Sequence, residues 1–447
     1  MRLALVEPYV SNASLKSYAD RTEPAHLVGM FGEAVCAGVQ ADIIDAYSAR
    51  LSAVALADRL NSGGFTHAGF TTYTYEPCLE YLKELRSSLN PAIVTIAGGP
   101  GGTYLPELIA TTLQPDWLVQ DDGEPAIRAL IAHDWKDLDH DLIGETRVLR
   151  APLSKLDTYS FRRPYSLQPY GFEASPRLQR GCKGSCVFCA GAFQRDFDCL
   201  SKHVFAAMLE HLFAELGMQI LSPAGPDFTA MPAQANQLIE ALLESGYHLR
   251  SFRPGVRLDT LTRAVRLDPD LWTRLSHWTD VRLESSIESF APARLARLGK
   301  NVSPAYLDAI GDRIAEILAA CPSHMVLGRI ALDPTVTIEE FVEDCRLLIA
   351  LLERFPDQVT VGGMLMNRFV PVAGTASGVG GDNPWKADSF ADPRMRVLSE
   401  DLLEVPRFLW WCRLAQQNQD YRERNEIFCE ILRVSAERAG FAASAAA

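Results

Sequence analysis

Two long stretches of this sequence alternate short apolar segments with amphipathic helical patterns, and this alternation limits the chain to a small set of folds. In residues 1–135, runs that favour strands, such as Leu3–Val6 and Ala92–Ala97, alternate with helical patterns such as His26–Ala37. Strands that alternate with helices favour a parallel sheet covered by helices. The sequence therefore predicts an α/β fold whose N-terminal domain is a doubly wound, Rossmann-like sheet.

The alternation resumes near residue 176 and continues to about residue 375, where roughly six strand–helix units predict a partial (β/α)6 barrel. Thr337 and Glu340 form the capping-box pattern that opens one of its helices. Residues 136–175 are rich in Asp and Pro and are predicted to be a linker. Residues 376–447 begin Gly-rich and then show helical patterns, so we expect a mostly helical extension that closes over the barrel mouth.

The charge balance narrows the range of functions. The 447 residues include 43 Lys and Arg against 56 Asp and Glu, which gives a net charge of −13. Nucleic-acid binding relies on basic patches, and the apolar runs are too short to cross a bilayer, so neither a nucleic-acid partner nor a membrane partner is expected. We expect a cytoplasmic protein, in which the ten cysteines are thiols or metal ligands rather than disulfides.

Three cysteines lie together in the segment Arg180–Cys189, where their spacing is C-x3-C-x2-C. Thiolates are preferred ligands of iron–sulfur clusters, and three of them can hold three corners of a four-iron cube. The fourth iron is then open to a substrate or cosubstrate. The spacing alone leaves two alternatives, a zinc site and a chance grouping, and Cys199 is a candidate fourth ligand.

The cysteine segment resembles the motif of the radical S-adenosylmethionine (SAM) superfamily, C-x3-C-x-aromatic-C, in which Phe188 supplies the aromatic residue. Further segments match the barrel of that superfamily, in the expected order along the chain. They are Pro226-Asp227-Phe228-Thr229, Arg257-Leu258-Asp259, Ile287-Glu288-Ser289 with Gly299-Lys300, Gly328-Arg329-Ile330 and Pro371-Val372-Ala373-Gly374-Thr375. Each segment is a weak signal alone, but their order beside the cysteines supports the resemblance.

The resemblance implies that Cys182, Cys186 and Cys189 bind a [4Fe–4S] cluster. It also implies that the open iron binds the amino and carboxylate groups of SAM, and that one electron cleaves SAM to methionine and a 5′-deoxyadenosyl radical. That radical then abstracts a hydrogen atom from the substrate. The residues implied to contact SAM are Phe188, Asp227, Arg257, Glu288 and Ser289.

The N-terminal domain resembles the cobalamin (B12)-binding-type domain that precedes many radical SAM barrels. The resemblance rests on Gly98-Gly99-Pro100 and on Asp122-Gly123-Glu124, although the chain departs from the G-G-P-H-A-T and G-E-G-E patterns of these relatives. It also lacks the D-x-H-x-x-G motif that supplies an axial His to cobalt in other cobalamin proteins. The implied cobalamin contacts are Thr71, Gly98 and Gly99, and the alternative is a scaffold domain without cobalamin.

Methylation of an unactivated carbon is the commonest reaction in this group. The resemblance therefore implies cobalamin-dependent C-methylation of a small metabolite, in specialised metabolism, with an electron donor such as flavodoxin or ferredoxin. The alternative is radical dehydration, dehydrogenation or rearrangement without methyl transfer, which needs an acid or a base. The candidate acids and bases by position are Glu76, Glu284, Glu288 and Asp333.

Two further functions are less favoured. RNA methylthiolation is also a radical SAM reaction, but the chain is acidic and shows no pattern of a small β-barrel RNA module. A non-enzymatic cobalamin or redox sensor needs a DNA-binding element, and the sequence has no evident basic helix-turn-helix.

Overall fold

The structure is a computed structural model that describes residues 1–9, 24–73, 76–133, 138–150, 153–162, 172–189, 196–300, 309–330, 332–361, 390–404 and 420–445. These residues form two compact units. The first contains Met1–Arg180 and Asp198–Gln219, and the second contains Gly181–Phe197 and the described residues from Ile220 onward.

A single mostly parallel sheet organises the first unit. Its strands are β1 (Arg2–Glu7), β2 (Gln40–Asp45), β3 (His67–Thr71), β4 (Val94–Gly98), β5 (Trp117–Gln120), β6 (Asp141–Ile143) and β7 (Thr146–Arg150). They follow the order β2-β1-β3-β4-β5-β7-β6, in which only the β6–β7 pair is antiparallel. The direction of strand addition reverses between β1 and β3, and ligands of such sheets bind beyond the strand ends at that point.

Helices cover both faces of this sheet. They are α1 (Ala25–Cys36), α2 (Ala53–Ser62), α3 (Glu76–Ser88), α4 (Pro100–Tyr104), α5 (Pro106–Leu113) and α6 (Gly123–Ala132). Alternate residues of β1 point to opposite faces, so Val6 joins one core with Leu56 of α2, and Leu5 joins another with Leu27 of α1 and Ile127 of α6. The doubly wound sheet predicted from the alternation is confirmed.

The first unit differs from the sequence predictions in two places. The segment predicted as a linker contributes β6 and β7, so the sheet extends past residue 135; these strands are short and meet at Gly144, whose φ is +61°. The sequence pattern predicts a turn at residues 98–102 and one helix over Tyr104–Thr112, but the structure has two helices, because Pro106 has no N–H to continue the hydrogen bonding of α4. The first of them begins at Pro100, inside the predicted turn.

Short elements complete the first unit around the cysteine segment. They are a 3-10 turn (Leu156–Thr158), β8 (Glu173–Ala174), β9 (Gln179–Arg180), β10 (Asp198–Cys199), α7 (Lys202–Leu209) and a π-helix (Glu210–Glu215). The predicted helix Val204–Leu216 therefore exists, but its second half is wound as a π-helix.

The second unit contains a parallel sheet with helices between its strands. Its strands are β11 (Ile220–Leu221), β12 (Ser251–Phe252), β13 (Gly255–Val256), β14 (Asp280–Glu288), β15 (His324–Arg329) and β16 (Val359–Val361). The order β16-β15-β14-β12-β11, with β13 also beside β14, follows the chain, and every described pair within the unit is parallel. This is the predicted arrangement of a partial barrel.

The helices of the second unit are α8 (Pro232–Glu244), α9 (Leu258–Leu267), α10 (Pro269–Trp278), α11 (Pro292–Arg297), α12 (Ile310–Ala320), α13 (Ile338–Arg354), α14 (Pro393–Glu404) and α15 (Tyr421–Ala445). The capping box at Thr337 and Glu340 forms as predicted. No described helix meets the length and apolarity needed to span a membrane.

The second unit also differs from the sequence predictions in several places. The sequence pattern predicts one strand over Ser251–Leu258, but the structure has two short strands there. Leu258 already belongs to α9, a helix that the pattern does not predict. The helix α10 was also not predicted. The predicted helix start at Ser303 and the Pro371–Thr375 motif lie outside the described residues.

The helix α15 packs against α13 and β16. The ring of Tyr421 lies 4.7 Å from that of His324, the first residue of β15, so α15 begins at the amino ends of the strands. Asn425 donates hydrogen bonds to the carbonyl oxygens of Pro356 (2.9 Å) and Val359 (2.6 Å). In the described residues α15 therefore covers β16, and closure of the barrel mouth by the extension stays a prediction.

Replacing Asn425 tests this contact. We expect Asn425→Ala to lower the free energy of unfolding by about 1–3 kcal/mol, because two buried carbonyl oxygens lose their donor. The control is Arg433→Ala on the same helix as Asn425, which removes exposed ion pairs with Glu353 and Glu430 and should leave the unfolding midpoint nearly unchanged. Urea titration followed by tryptophan fluorescence measures both, and equal midpoints for the two variants would contradict the assignment.

Candidate functional site

The cysteine segment is a loop whose ends are joined. The strands β9 and β10, which precede and follow it in the sequence, pair antiparallel with Arg180 opposite Asp198, and we call the described residues 181–189 the cysteine loop. Gly181 begins the loop with a φ of +87°, and a Cβ added there would lie 3.0 Å from the carbonyl oxygen of Asp196. Only glycine adopts this conformation without strain.

A buried carboxylate anchors the start of the cysteine loop. Asp122 follows β5, and its carboxylate is 2.9 Å from Nη1 of Arg180 and 3.1 Å from Nη1 of Arg177. The hydroxyl of Tyr159 donates a third hydrogen bond to it, at 3.1 Å. Because only 4% of Asp122 is exposed, water does not replace these partners. The chain that enters the cysteine loop is thus fixed to the carboxyl end of β5.

The middle of the cysteine loop docks on the turn after α11. The N–H of Val187 donates to the carbonyl of Leu298 (3.0 Å), and the hydroxyl of Ser185 donates to the carbonyl of Gly299 (3.1 Å). Gly299 has a φ of +69°, and a Cβ there would collide with the carbonyl oxygen of Ser185. Phe188 packs on the buried side chain of Leu298. The predicted Gly-Lys element therefore receives the cysteine loop.

Charged groups surround the thiol of Cys186. Nζ of Lys300 lies 3.6 Å from Oε1 of Glu288 and donates to the carbonyl of Ser286. Burial raises the pKa of the Cys186 thiol, while the charges of Lys300 and Arg257 lower it. Glu288 itself has a φ of +70°, which is strained for a residue with a side chain, at the point where the β14–β15 register shifts.

Asp227 holds the backbone that presents Arg257. Its carboxylate is fully buried and accepts hydrogen bonds from the N–H of Arg257 (3.2 Å) and from the hydroxyls of Thr229 and Thr260 (both 2.9 Å). Burial raises the pKa of Asp227, and these hydrogen bonds oppose that shift. These contacts fill the carboxylate, so Asp227 positions Arg257 rather than presenting its own side chain.

A second group of polar side chains lies at the strand-order reversal of the first unit. Glu7, at the end of β1, accepts a hydrogen bond from the hydroxyl of Tyr73 (2.6 Å). Nε2 of His26 lies 3.1 Å from the carboxylate of Glu7 and 2.9 Å from the hydroxyl of Thr71. Hydrogen-bonding groups therefore collect where the sheet order predicts a ligand.

The glycine-rich segment beside this group fits closely against β3. The hydroxyl of Thr72 donates to the carbonyl of Gly98 (2.7 Å), and Thr72 also receives the N–H of Gly101 and of Gly102. A Cβ on Gly101 would lie 2.7 Å from that hydroxyl oxygen. Gly99 has a φ of +87°. A Cβ on Gly99 would lie 3.2 Å from Cγ2 of Thr71, so Gly99 and Gly101 both serve internal close contact. Gly98 ends β4 without a side chain, as a ligand that approaches the backbone requires.

The donor set of the cysteine loop consists of three soft thiols without a fourth ligand beside them. Among the described residues, no three His, Cys, Asp or Glu side chains converge as ligands of a single ion. The nine described cysteines are free thiols. Three thiols on one anchored loop, with nearby cations to stabilise their charge, fit the three-cysteine set of an iron–sulfur cluster.

Solved structures share this architecture. OxsB, a cobalamin-dependent SAM radical enzyme solved with aqua-cobalamin, gives a TM-score of 0.72 at 15% identity, over 98% of this chain and 72% of that one. TsrM from Kitasatospora setae, a radical SAM methyltransferase solved with a tryptophan substrate and a SAM analogue, gives 0.64 at 13% identity, over 84% of this chain and 75% of that one. Neither a family model nor a curated protein matches the sequence.

This chain has the fold of the cobalamin-dependent radical SAM enzymes. The resemblance inferred from the cysteine segment and the barrel motifs is therefore confirmed at the level of the fold. In this radical SAM fold, the cysteine loop and β14 bring together Cys186, Arg257 and Glu288, which the sequence analysis singled out. Lys300 joins them, although it was noted only as part of a motif.

Other predicted site residues lie elsewhere. Ser289 donates to Asp344 (3.0 Å), and Asp333 accepts from Arg294 (2.8 Å), which also binds Asp344 (2.6 Å). These buried groups form an ion-pair cluster behind the turn after β14. Glu284 lies half-buried in the middle of β14.

Glu76 is the first residue of α3 in the first unit, and the structure does not describe its side chain. The four candidate acids and bases are therefore not shown to form one group.

The sequence analysis missed the residues that join distant segments. Asp122 appeared only within a motif, and Arg177, Arg180, Arg294 and Asp344 were not selected. Arg180 directly precedes Gly181-Cys182, which is a local signal. The partners of Arg294 are 39 and 50 residues away, so no spacing rule indicates them.

Cys199, the candidate fourth ligand, lies on β10 opposite Gln179. Burial together with the charges of Asp198 and Asp157 raises the pKa of its thiol to about 12. A metal ligand must be a thiolate, and burial makes that form of Cys199 unfavourable, so we expect a cluster to bind the three cysteines of the loop without it.

Substitution of Cys199 tests this conclusion. We expect Cys199→Ser to bind as much iron as the wild-type protein after anaerobic reconstitution, whereas Cys182→Ser should lose most of it. Iron is quantified per chain. A parallel loss of iron in both variants would identify Cys199 as a ligand.

The Asp122 anchor gives a second prediction. Asp122→Asn removes the nearest carboxylate charge from Arg177 and Arg180, whose other carboxylate partners, Glu124 and Asp198, lie 3.8 and 3.9 Å away. Breaking a buried ion pair costs about 3–5 kcal/mol. We expect a loss of this size in the free energy of unfolding, measured by urea titration. The control is Asp42→Asn, which breaks a half-exposed pair with Arg2 and should cost less than about 1 kcal/mol. Similar losses in both variants would show that Asp122 does not anchor the loop.

Proposed function

We propose that this protein is a cobalamin-dependent radical SAM enzyme that methylates a carbon atom of a small metabolite. The observation that carries the proposal is the anchored loop of Cys182, Cys186 and Cys189, which docks on the Gly299 turn inside a barrel of the radical SAM fold. A [4Fe–4S] cluster on these cysteines would supply the electron that cleaves SAM to methionine and a 5′-deoxyadenosyl radical.

The residues of the second unit then act by binding and orientation. Lys300 and Glu288 are each about one-tenth exposed and form an ion pair beside the cysteine loop. They offer one cation and one anion to a cosubstrate that carries both an ammonium and a carboxylate. Phe188 follows Val187 on the docked part of the loop, and its backbone is held in place for contact with an adenine ring.

The first unit supports cobalamin binding through its topology. The order of its strands reverses between β1 and β3, and Glu7, Thr71 and Tyr73 present hydrogen-bonding groups at that point. A corrin ring carries many amide side chains, which need such donors and acceptors. Methylcobalamin would supply the methyl group that joins the substrate radical. OxsB and TsrM have been solved with cobalamin bound, and TsrM is a methyltransferase.

The charge pattern of the barrel also favours methyl transfer over its alternative. Radical dehydration, dehydrogenation or rearrangement requires an acid or base with access to the substrate. Asp333 is fully buried in an ion pair with Arg294, and Glu288 is paired with Lys300. Glu284 is the candidate that remains in the described barrel. The partners we propose are a small-molecule substrate and an electron donor such as flavodoxin or ferredoxin.

The cysteine loop gives the direct test of the proposed chemistry. We expect Cys186→Ala to abolish the formation of 5′-deoxyadenosine from SAM under anaerobic, reducing conditions, because the cluster loses a ligand. Liquid chromatography with mass spectrometry measures the product, and Cys78→Ala, which changes a buried thiol of the first unit, is the control. Undiminished formation of 5′-deoxyadenosine by Cys186→Ala would overturn the proposal.

Metal analysis of the same preparation separates methylation from the alternative. With cobalamin supplied, the proposal requires both iron and cobalt in the purified protein, and S-adenosylhomocysteine beside 5′-deoxyadenosine once substrate is found. Iron without cobalt would make the first unit a scaffold and would leave radical chemistry without methyl transfer.

A further inference from the structure

Gly184 lies where three groups of the second unit approach each other. A Cβ added to Gly184 would lie 2.8 Å from Nη1 of Arg257, 3.4 Å from Sγ of Cys182 and 3.6 Å from Sγ of Cys186. The N–H of Gly184 also donates to Sγ of Cys182, at 3.3 Å. The guanidinium of Arg257 and the two thiols therefore line the same space, which a side chain at position 184 would fill.

Hydrogen bonds fix both the backbone and the side chain of Arg257 in this direction. The backbone N–H of Arg257 donates to the buried carboxylate of Asp227, and its Nε donates to Asp259 at 3.1 Å. The side chain of Arg257 is 16% exposed, so its position is not set by solvent. Asp259 engages Nε, which leaves Nη1 directed at the cysteine loop.

The charges near the thiols are not equivalent. Lys300 is paired with Glu288, which offsets its charge. Arg257 is paired with Asp259, but that carboxylate is 34% exposed and therefore screened by water. A guanidinium stays protonated in proteins, so its positive charge beside Cys182 and Cys186 is permanent.

We propose that Arg257 acts on the thiolates of the cysteine loop, and that its charge makes the cluster bound there easier to reduce. Gly184 is the residue that admits the guanidinium. This inference rests on the proposed function, since it requires a cluster on Cys182, Cys186 and Cys189. It gives Arg257 a different partner from SAM, to which the sequence resemblance assigned it.

The physical reason is electrostatic. Reduction adds one electron from an external donor to the cluster and breaks no bond, so the reduced cluster carries one more negative charge. A fixed cation beside two ligand sulfurs stabilises that extra charge more than it stabilises the oxidised state. Removal of the cation therefore moves the reduction potential to a more negative value.

The test is a redox titration of the reconstituted full-length protein without SAM, in which the reduced cluster is quantified by electron paramagnetic resonance. In Arg257→Gln we expect the ratio of reduced to oxidised cluster at a fixed potential to fall about tenfold, which is about 59 mV for a one-electron couple. Arg257→Lys keeps a charge and should shift less. Gly184→Ala keeps Arg257 but displaces it, and should shift the potential in the same direction.

The control is Arg282→Gln, which removes a half-exposed arginine that pairs with Asp280 near the start of β14. Its cluster should keep the wild-type potential. An unchanged potential in Arg257→Gln overturns the inference. If the same variant also binds SAM more weakly, Arg257 is assigned to SAM instead. If Arg257→Gln takes up no iron, the reduction potentials of Gly184→Ala and Arg257→Lys are compared with the wild-type value instead. Unchanged potentials in both of these variants overturn the inference.

Failure of the proposed function gives a different result. In that case the wild-type protein itself takes up no four-iron cluster and shows no signal on reduction. A wild-type signal with no dependence on Arg257 or Gly184 leaves the proposed function standing and removes only this inference.

Discussion

The hydrogen bonds that seat the cysteine loop on the Gly299 turn are the constraint on which the rest of the site depends. A loop of this length samples many conformations, and fixing three thiols within it has a large entropic cost. Hydrogen bonds at two places offset that cost. Asp122 binds Arg180 before the loop, and the carbonyls of Leu298 and Gly299 accept hydrogen bonds from its middle. Once these contacts form, Lys300, Glu288 and Arg257 have fixed positions relative to Cys186.

Buried carboxylates act in this protein mainly as acceptors that fix loops after strands. Asp122 binds two arginines after β5, Asp227 binds the backbone before α9, and Asp344 binds the N–H of Phe290 after β14. In each case a loop at the carboxyl end of a strand gains a partner from another segment. This explains why several carboxylates that look chemically attractive in the sequence, Asp333 among them, are already saturated by neighbours.

The elements that follow from local pattern could be predicted from the sequence, and the contacts between distant segments could not. The cysteine spacing and the strand β14, with its alternating buried residues, are local signals. Asp227 accepts a hydrogen bond from the N–H of Arg257, 30 residues later in the chain, directly before α9 begins at Leu258. No local pattern indicates this contact, so the predicted strand extends too far, to Leu258. The same limit applies to Ser289, whose hydroxyl donates to Asp344, 55 residues away, a contact that no local pattern indicates.

The edge strand β16 is covered by a helix that comes much later in the chain. Asn425 binds the carbonyls of Pro356 and Val359, and Arg424 binds that of Val361. During synthesis, these carbonyls lack these donors until the ribosome has added α15, and exposed strand edges promote aggregation. A chain truncated before Arg424 therefore contains the whole cysteine loop but makes none of these three hydrogen bonds.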